Sequence, residues 1–148
     1  MSTASAWSVA LNGIEGAMVE VEVAEGGGLP RTVLVGLPDA ALSQAKERVR
    51  AAVTGAELPW PNGLVTINLS PANLPKTGTH YDLAIATAAL AAIDKVPKEA
   101  ARNHICLGEL GLDGRLRRVP GILPALLATV RSGFDKAIVP ASQEAEAS

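Results

Sequence analysis

The sequence predicts an α/β sandwich, and three features lead to that prediction. Residues 19–24 alternate valines with Glu20, Glu22 and Ala24, which is the two-residue period of a strand with one buried face. Residues 64–69 form a β-branched segment of strand length. Two longer segments, 38–55 and 81–93, carry helical patterns. Strands at the start and helix–strand alternation afterwards indicate helices packed on a sheet.

The first elements form a hairpin in this prediction. Two strands within residues 9–23 are expected to meet at Asn12-Gly13, a dipeptide that suits tight turns. Residues 26–28 are three glycines, which also occur in phosphate-binding loops. No Lys-Ser or Lys-Thr pair follows them, however, and the next segment, 32–36, has a strand pattern. We therefore interpret the three glycines as a turn between strands.

A first helix is predicted from Pro38-Asp39 to Gly55, with Asp39 as its N-cap. One face of this helix is apolar and is expected to be buried: Leu42, Ala45, Val49, Ala52 and Val53. The opposite face is charged: Lys46, Glu47, Arg48 and Arg50. These charges fit a solvated face with local Glu–Arg pairing, and contact with a partner or with nucleic acid is the alternative.

The second half of the chain continues the alternation. The loop 71–78 precedes the helix 81–93, which Thr79 or His80 is expected to cap. A hairpin should pair 104–110 with 115–119, and a helix over 122–132 and a strand over 137–139 follow. The last residues, 141–148, begin another helical segment that stops at once, so we expect the chain to be a fragment of a longer protein.

Composition narrows the class of protein. With 148 residues, 48% hydrophobic and 19% charged, the chain suits one domain with a buried core and is not a disordered chain. A net charge of −2 and an aromatic content of 3% favour neither phosphate neutralisation nor base stacking. A single cysteine, Cys106, excludes an intramolecular disulfide. The N-terminus lacks a signal-peptide pattern and the apolar segment 83–93 is too short to span a bilayer, so we predict a cytoplasmic protein without membrane contact.

Groups that could carry chemistry are few. Asp82 and Glu109 are candidate acid–base carboxylates, but Asp82 fits the first turn of a helix, where the dipole favours a negative charge, and Glu109 could bond a neighbouring loop. His104 and Cys106 would share one face of a strand and could form a metal site with His80, although nothing in the sequence brings His80 close to them. No phosphate-binding loop with its lysine occurs, so no cofactor site is predicted in this chain.

Two segments, 69–82 and 107–124, resemble the parts of Lon-type proteases that carry the catalytic serine and lysine. The first contains a Pro-Lys-x-Gly loop at 75–78, and the second contains a Gly-Glu-Leu-Gly turn at 108–111. Aligned residue by residue, the serine position falls on His80 and the lysine position on Leu123. A serine–lysine dyad needs a hydroxyl and an amine within hydrogen-bond reach, which these side chains do not supply. The resemblance therefore implies a retained scaffold and a vestigial dyad.

A second resemblance covers nearly the whole chain. Four blocks, Gly-Leu-Pro-Asp-Ala at 36–40 and the segments 48–53, 67–72 and 81–86, are similar in content and order to the N-terminal domain of Mg-chelatase-like AAA+ ATPases of the YifB/ComM type. This resemblance implies the ribosomal protein S5 domain 2-like fold of the Lon proteolytic domain. It also implies a position ahead of an ATPase module, in a family whose members include hexameric DNA helicases of natural transformation.

The function implied by this resemblance is that of a non-catalytic domain. ATP and magnesium would belong to the rest of the parent protein, and so would DNA binding; the partners of this domain would be its own AAA+ module and neighbouring subunits. Lys76, Arg115 and Arg117 are the candidate contacts, with an exposed loop lysine as the alternative for Lys76. Two competing hypotheses are a divergent hydrolase that uses His80 with Asp82, and a free-standing adaptor domain.

Overall fold

The computed structural model describes residues 2–12 and 15–144, apart from the side chains of Asn12, Asp39 and Leu42. The strands of this part are β1 (Ser2–Asn12), β2 (Glu15–Gly26), β3 (Arg31–Val35), β4 (Leu64–Ser70), β5 (Ile105–Cys106), β6 (Glu109–Leu110), β7 (Leu116–Arg117) and β8 (Ala137–Ile138). The helices are α1 (Asp39–Gly55), α2 (Asp82–Ala92), α3 (Lys98–Arg102) and α4 (Ile122–Arg131), and a 3-10 turn spans Ala141–Gln143.

Six of these strands form one mixed sheet in the order β3-β4-β2-β1-β5-β8. The long strands β1 and β2 pair antiparallel along their whole length, and β2 pairs antiparallel with β4. The outer pairs, β3 with β4, β1 with β5 and β5 with β8, are parallel. Helices pack on this sheet, which confirms the predicted α/β class.

One face of the sheet packs against α1 and α2 and forms the main core. The alternating valines of β2 point into it, as the two-residue period predicted, and so do alternate residues of β1 and β4. Ala84 and Ala88 of α2 are completely buried. Because alanine has a single side-chain carbon, the helix can lie close to the sheet, as expected for the segment 81–93.

The opposite face is covered over only part of its area, by α4. A second cluster joins Val9 of β1 and Ile105 of β5 to Ile122, Ala125 and Ala128 of that helix. Gly16 lies where α4 comes closest, since a Cβ atom on this glycine would stand 2.5 Å from Cβ of Ala128. A larger residue at position 16 would therefore push α4 away from the sheet.

Two predictions about residues 94–110 are wrong or incomplete. Residues 104–110 do not form one strand: β5 joins the large sheet, whereas β6 pairs with β7 in the separate hairpin predicted around Asp113-Gly114. Between these two strands, the N–H of Gly108 donates to the carbonyl of His80 and the carbonyl of Gly108 accepts from the N–H of Leu83. The short helix α3 was not predicted, and its Ala101 packs into the main core.

The predicted helix starts are correct to within one residue, but the predicted capping of α2 is not. The residue before α2 is Tyr81, and neither Thr79 nor His80 makes a side-chain capping bond to it. The proposed turn residue Gly13 and the proposed capping side chain of Asp39 lie outside the described residues. None of the described helices is long and apolar enough to cross a bilayer.

Candidate functional site

The loop 71–78, which resembles part of the Lon catalytic segment, is held by hydrogen bonds between its own residues. It begins with a cis peptide bond between Ser70 and Pro71. The ammonium of Lys76 donates hydrogen bonds to the carbonyl oxygens of Pro71 at 2.5 Å and of Leu74 at 3.0 Å. Only 2% of Lys76 is exposed, and burial lowers the pKa of its amine. The expectation of an exposed loop lysine is therefore wrong: the amine fixes the loop from inside instead of facing a ligand.

His80, at the serine position, is also turned inward. Its Nε2 lies 2.6 Å from the carbonyl oxygen of Val9 in β1, so this nitrogen carries the proton and donates it. The imidazole stacks on the ring of Tyr81, with 4.1 Å between the ring centroids. Burial lowers the pKa of His80, and the bond to Val9 and the charge of Asp82 act in the opposite direction. The ring thus ties the loop to the sheet.

Asp82 is completely buried at the start of α2 and holds three elements together. Its carboxylate accepts two hydrogen bonds from Arg48 of α1, from Nε at 2.5 Å and from Nη2 at 2.7 Å. It accepts a third from the backbone N–H of Leu110 in β6, at 3.1 Å. Burial raises the pKa of Asp82, and the hydrogen bonds from Arg48 and Leu110 act in the opposite direction. The carboxylate in turn raises the pKa of Arg48.

This arrangement corrects the interpretation of the charged face of α1. Arg48 was assigned to a solvated face, yet its side chain is only 21% exposed and reaches Asp82. The helix-dipole role predicted for Asp82 is incomplete for the same reason, since its strongest bonds go to another helix and to a strand. A signal was present in the sequence: a carboxylate at the start of an apolar helical segment needs a cation when it is buried, and α1, which carries Arg48 and Arg50, precedes it.

The two positions that the resemblance assigns to a dyad, 80 and 123, differ in environment. His80 is buried, whereas Leu123, in the first turn of α4, is 55% exposed. The neighbouring Ile122 points inward and packs with Val9, the residue whose carbonyl binds His80. Neither position carries a hydroxyl or an amine, so the chemistry of a serine–lysine dyad is unavailable at these two residues.

The three candidate metal ligands have other bonds. His104 uses Nδ1 for the carbonyl oxygen of Ala100 at 2.7 Å. Cys106 is completely buried, which raises the pKa of its thiol to about 11, and its sulfur lies 3.9 Å from the hydroxyl of Thr87. Across residues 2–12 and 15–144, no group of three or more His, Cys, Asp or Glu side chains is arranged to hold a metal ion.

The arginines of the β6–β7 hairpin, which are candidates for a partner contact, lie on the surface. Arg115 and Arg117 are exposed, and Nε of Arg115 lies 3.9 Å from the carboxylate of Asp113. Arg118 instead donates to the carbonyl oxygen of Ser142 at 3.0 Å. The hairpin therefore presents two accessible guanidinium groups, whereas the side chain of Lys76 is buried.

The buried state of His80 makes stability depend on pH. Because its pKa is lowered in the folded chain, the unfolded chain binds more protons as the pH falls through ~6.5, the usual histidine value. The contribution of neutral His80 to the free energy of unfolding is therefore complete above that pH and is lost on acidification. The free energy of unfolding changes through this group by at most about 1.4 kcal/mol per pH unit. Urea unfolding of the wild type and of His80→Gln, which keeps an N–H for Val9, should show a flatter pH dependence in the variant. Equal slopes would contradict this role.

The fold and the site together define a class of protein: an α/β sandwich in which Lys76 closes the loop before α2, His80 joins the end of that loop to β1, and Asp82 joins α2 to α1 and β6. Residues 19–143 match the protein family described as subunit ChlI of Mg-chelatase. The chain belongs to this Mg-chelatase-like family.

Three relatives illustrate the similarity. An uncharacterized protein of Mycobacterium tuberculosis is 51% identical over 148 residues, which are all of this chain and 29% of that protein. The competence protein ComM of Haemophilus influenzae is 40% identical over 132 residues, or 89% of this chain and 26% of ComM. The YifB protein of Escherichia coli is 40% identical over 121 residues, or 82% and 24% respectively. The chain thus spans less than a third of the length of these relatives.

Proposed function

We propose that this chain acts as a non-catalytic, Lon-like domain of a Mg-chelatase-like AAA+ ATPase, in which it supports assembly or partner contact. One observation carries the proposal. The residue at the nucleophile position, His80, donates its ring proton to the Val9 carbonyl and is buried, while Asp82 is bound to Arg48 and Leu110. These side chains connect structural elements, and a hydrolase would need them free to reach a substrate.

The remaining parts of the proposal concern a longer parent protein. ATP and magnesium would be bound by its AAA+ module, which would work as a hexamer in the cytoplasm. The similarity to a competence protein supports a role of that motor in DNA processing. DNA would be bound by the motor and not by this domain, because a chain with a net charge of −2 does not favour contact with phosphates. The S5 domain 2-like fold of the Lon proteolytic domain belongs to the same proposal.

The alternative of a divergent hydrolase predicts a measurable activity. We expect the purified chain to show no turnover of unfolded casein or of fluorogenic peptides, and a flat calorimetric titration with Mg-ATP. The matched control is His80→Ala in the same assays. Cleavage by the wild type that disappears in His80→Ala would overturn the non-catalytic assignment, and a saturable ATP isotherm would show that the chain itself holds nucleotide.

A further inference from the structure

The outer edge of β3 has no strand beside it. This strand is at one end of the six-stranded sheet, and among the described residues it pairs with β4 alone. The N–H of Arg31 donates to the carbonyl of Gly63, on the β4 side, at 3.4 Å. Because successive residues of a strand direct their backbone groups to opposite edges, those of Thr32 and Leu34 face away from β4. Within residues 2–12 and 15–144, no backbone hydrogen bond reaches these groups.

The side chains of Thr32 and Leu34 hold this edge in place. Leu34 is buried in the main core, and the hydroxyl of Thr32 accepts a hydrogen bond from Nε1 of Trp60 at 3.3 Å. The backbone groups on the open edge therefore have a fixed position before anything binds to them. Such an edge is a preformed template for an extended chain.

A groove of about 470 Å³ lies beside this edge, between β3 and α1. Ser43, Lys46 and Arg50 form its helical side; they are three and four residues apart and share one face of α1. Arg31, at the start of β3, adds a third cation. Among the described residues, none of these three cationic side chains has a hydrogen bond or an ion pair, and no acidic side chain lines the groove.

The cations of the groove differ from Arg48 of the same helix, which is bound to Asp82 inside the scaffold. Like charges around one groove repel each other, and an anionic partner would relieve that repulsion. The same charges disfavour pairing of this edge with the same edge of a second copy, as charged residues at sheet edges commonly do. The groove therefore favours an acidic occupant other than a second β3 edge.

We propose that the edge of β3 binds an extended, acidic peptide segment of a partner protein, which adds a strand to the sheet. The peptide backbone pairs with the N–H and C=O groups of Thr32 and Leu34, which supplies affinity. Its carboxylates lie against Lys46 and Arg50, which supplies the preference for acidic residues. A nucleic acid would meet the same cations, but its sugar–phosphate backbone has no N–H donors for the edge. This inference rests on the partner contact in the proposed function and names the chemistry of the partner.

The first test measures binding of a fluorescein-labelled peptide of alternating threonine and glutamate to the purified chain, by fluorescence anisotropy at low salt. The wild type should bind it saturably, and added salt should weaken binding. Lys46→Glu with Arg50→Glu should weaken binding by ~10-fold or more, because carboxylates then face carboxylates. The control, Lys95→Glu with Lys136→Glu, makes the same change in net charge at exposed positions elsewhere and should bind as the wild type. Thermal unfolding verifies that both variants are folded.

A second test separates strand addition from charge attraction alone. In the extended probe, all glutamate N–H groups face one edge and all threonine N–H groups face the other. Two further probes carry N-methyl groups, one on its glutamates and one on its threonines, with the charge unchanged. With the carboxylates turned to the groove, only one of the two places its methyl groups against β3. That probe should bind ~10-fold more weakly than the other, since several backbone hydrogen bonds are lost together.

Each outcome decides the inference. A wild type that does not bind the peptide, a loss of binding that is equal in Lys46→Glu with Arg50→Glu and in the control, or two methylated probes that bind equally would overturn strand addition at β3. A single-stranded oligonucleotide that displaces the peptide at lower concentration, and does not bind the variant of Lys46 and Arg50, would overturn it in favour of nucleic acid. These readouts do not involve turnover, so the non-catalytic assignment is decided separately by its own assays.

Discussion

Asp82→Ala is expected to lower the free energy of unfolding by ~3–5 kcal/mol, because it removes one partner of a buried ion pair. The variant leaves the guanidinium of Arg48 without the two carboxylate oxygens that accept from it, and the N–H of Leu110 without the side chain to which it donates. It also disconnects α1, α2 and β6 at one point. Urea denaturation followed by circular dichroism measures the change.

Two further variants test whether the ion pair is the cause. Asp135→Ala removes an exposed carboxylate that has no hydrogen bond or ion pair among the described residues, so its unfolding midpoint should equal that of the wild type. Replacing both buried partners, with Arg48→Met and Asp82→Leu, should restore most of the lost stability, since no charge is then left buried. If Asp82→Ala unfolds at the wild-type midpoint, the pair is not a structural connection.

Tyr81→Ala is expected to cost ~3–5 kcal/mol, the usual range for truncating a large buried aromatic side chain. Only 1% of Tyr81 is exposed, and its ring packs against the imidazole of His80 just before α2 begins. Truncation would leave a cavity beside the main core and remove the surface on which the imidazole rests. Thermal and urea unfolding should both report the loss.

Tyr81→Phe is the matched control. Within the described residues, the Tyr81 hydroxyl is buried without a hydrogen-bond partner. Its removal should therefore leave stability unchanged or slightly higher, because no bond is lost and a polar atom no longer has to be desolvated. A large destabilisation by Tyr81→Phe would mean that the hydroxyl, and not the ring, carries the contribution.

The outline of the fold could be predicted because its signals are local. The alternation of valine and charged residues in β2 and the helical spacing of apolar residues in α1 each depend on residues a few positions apart. The same holds for the glycine that follows α4, where Gly133 has a positive φ of 88°. Residues 104–110 were harder, because the backbone of Gly108, between β5 and β6, bonds to His80 and Leu83, more than twenty positions earlier.

The candidate site was predicted in composition but not in contacts. The sequence alone determined that positions 80 and 123 carry no hydroxyl and no amine, since this follows from residue identity. The tertiary structure alone decided that Lys76 turns into its own loop, that His80 binds Val9 and that Arg48 meets Asp82, 34 positions along the chain. The physical reason is that periodicity specifies which face of an element is apolar, whereas the partner of a buried polar group is chosen by the packing of elements that are distant in sequence.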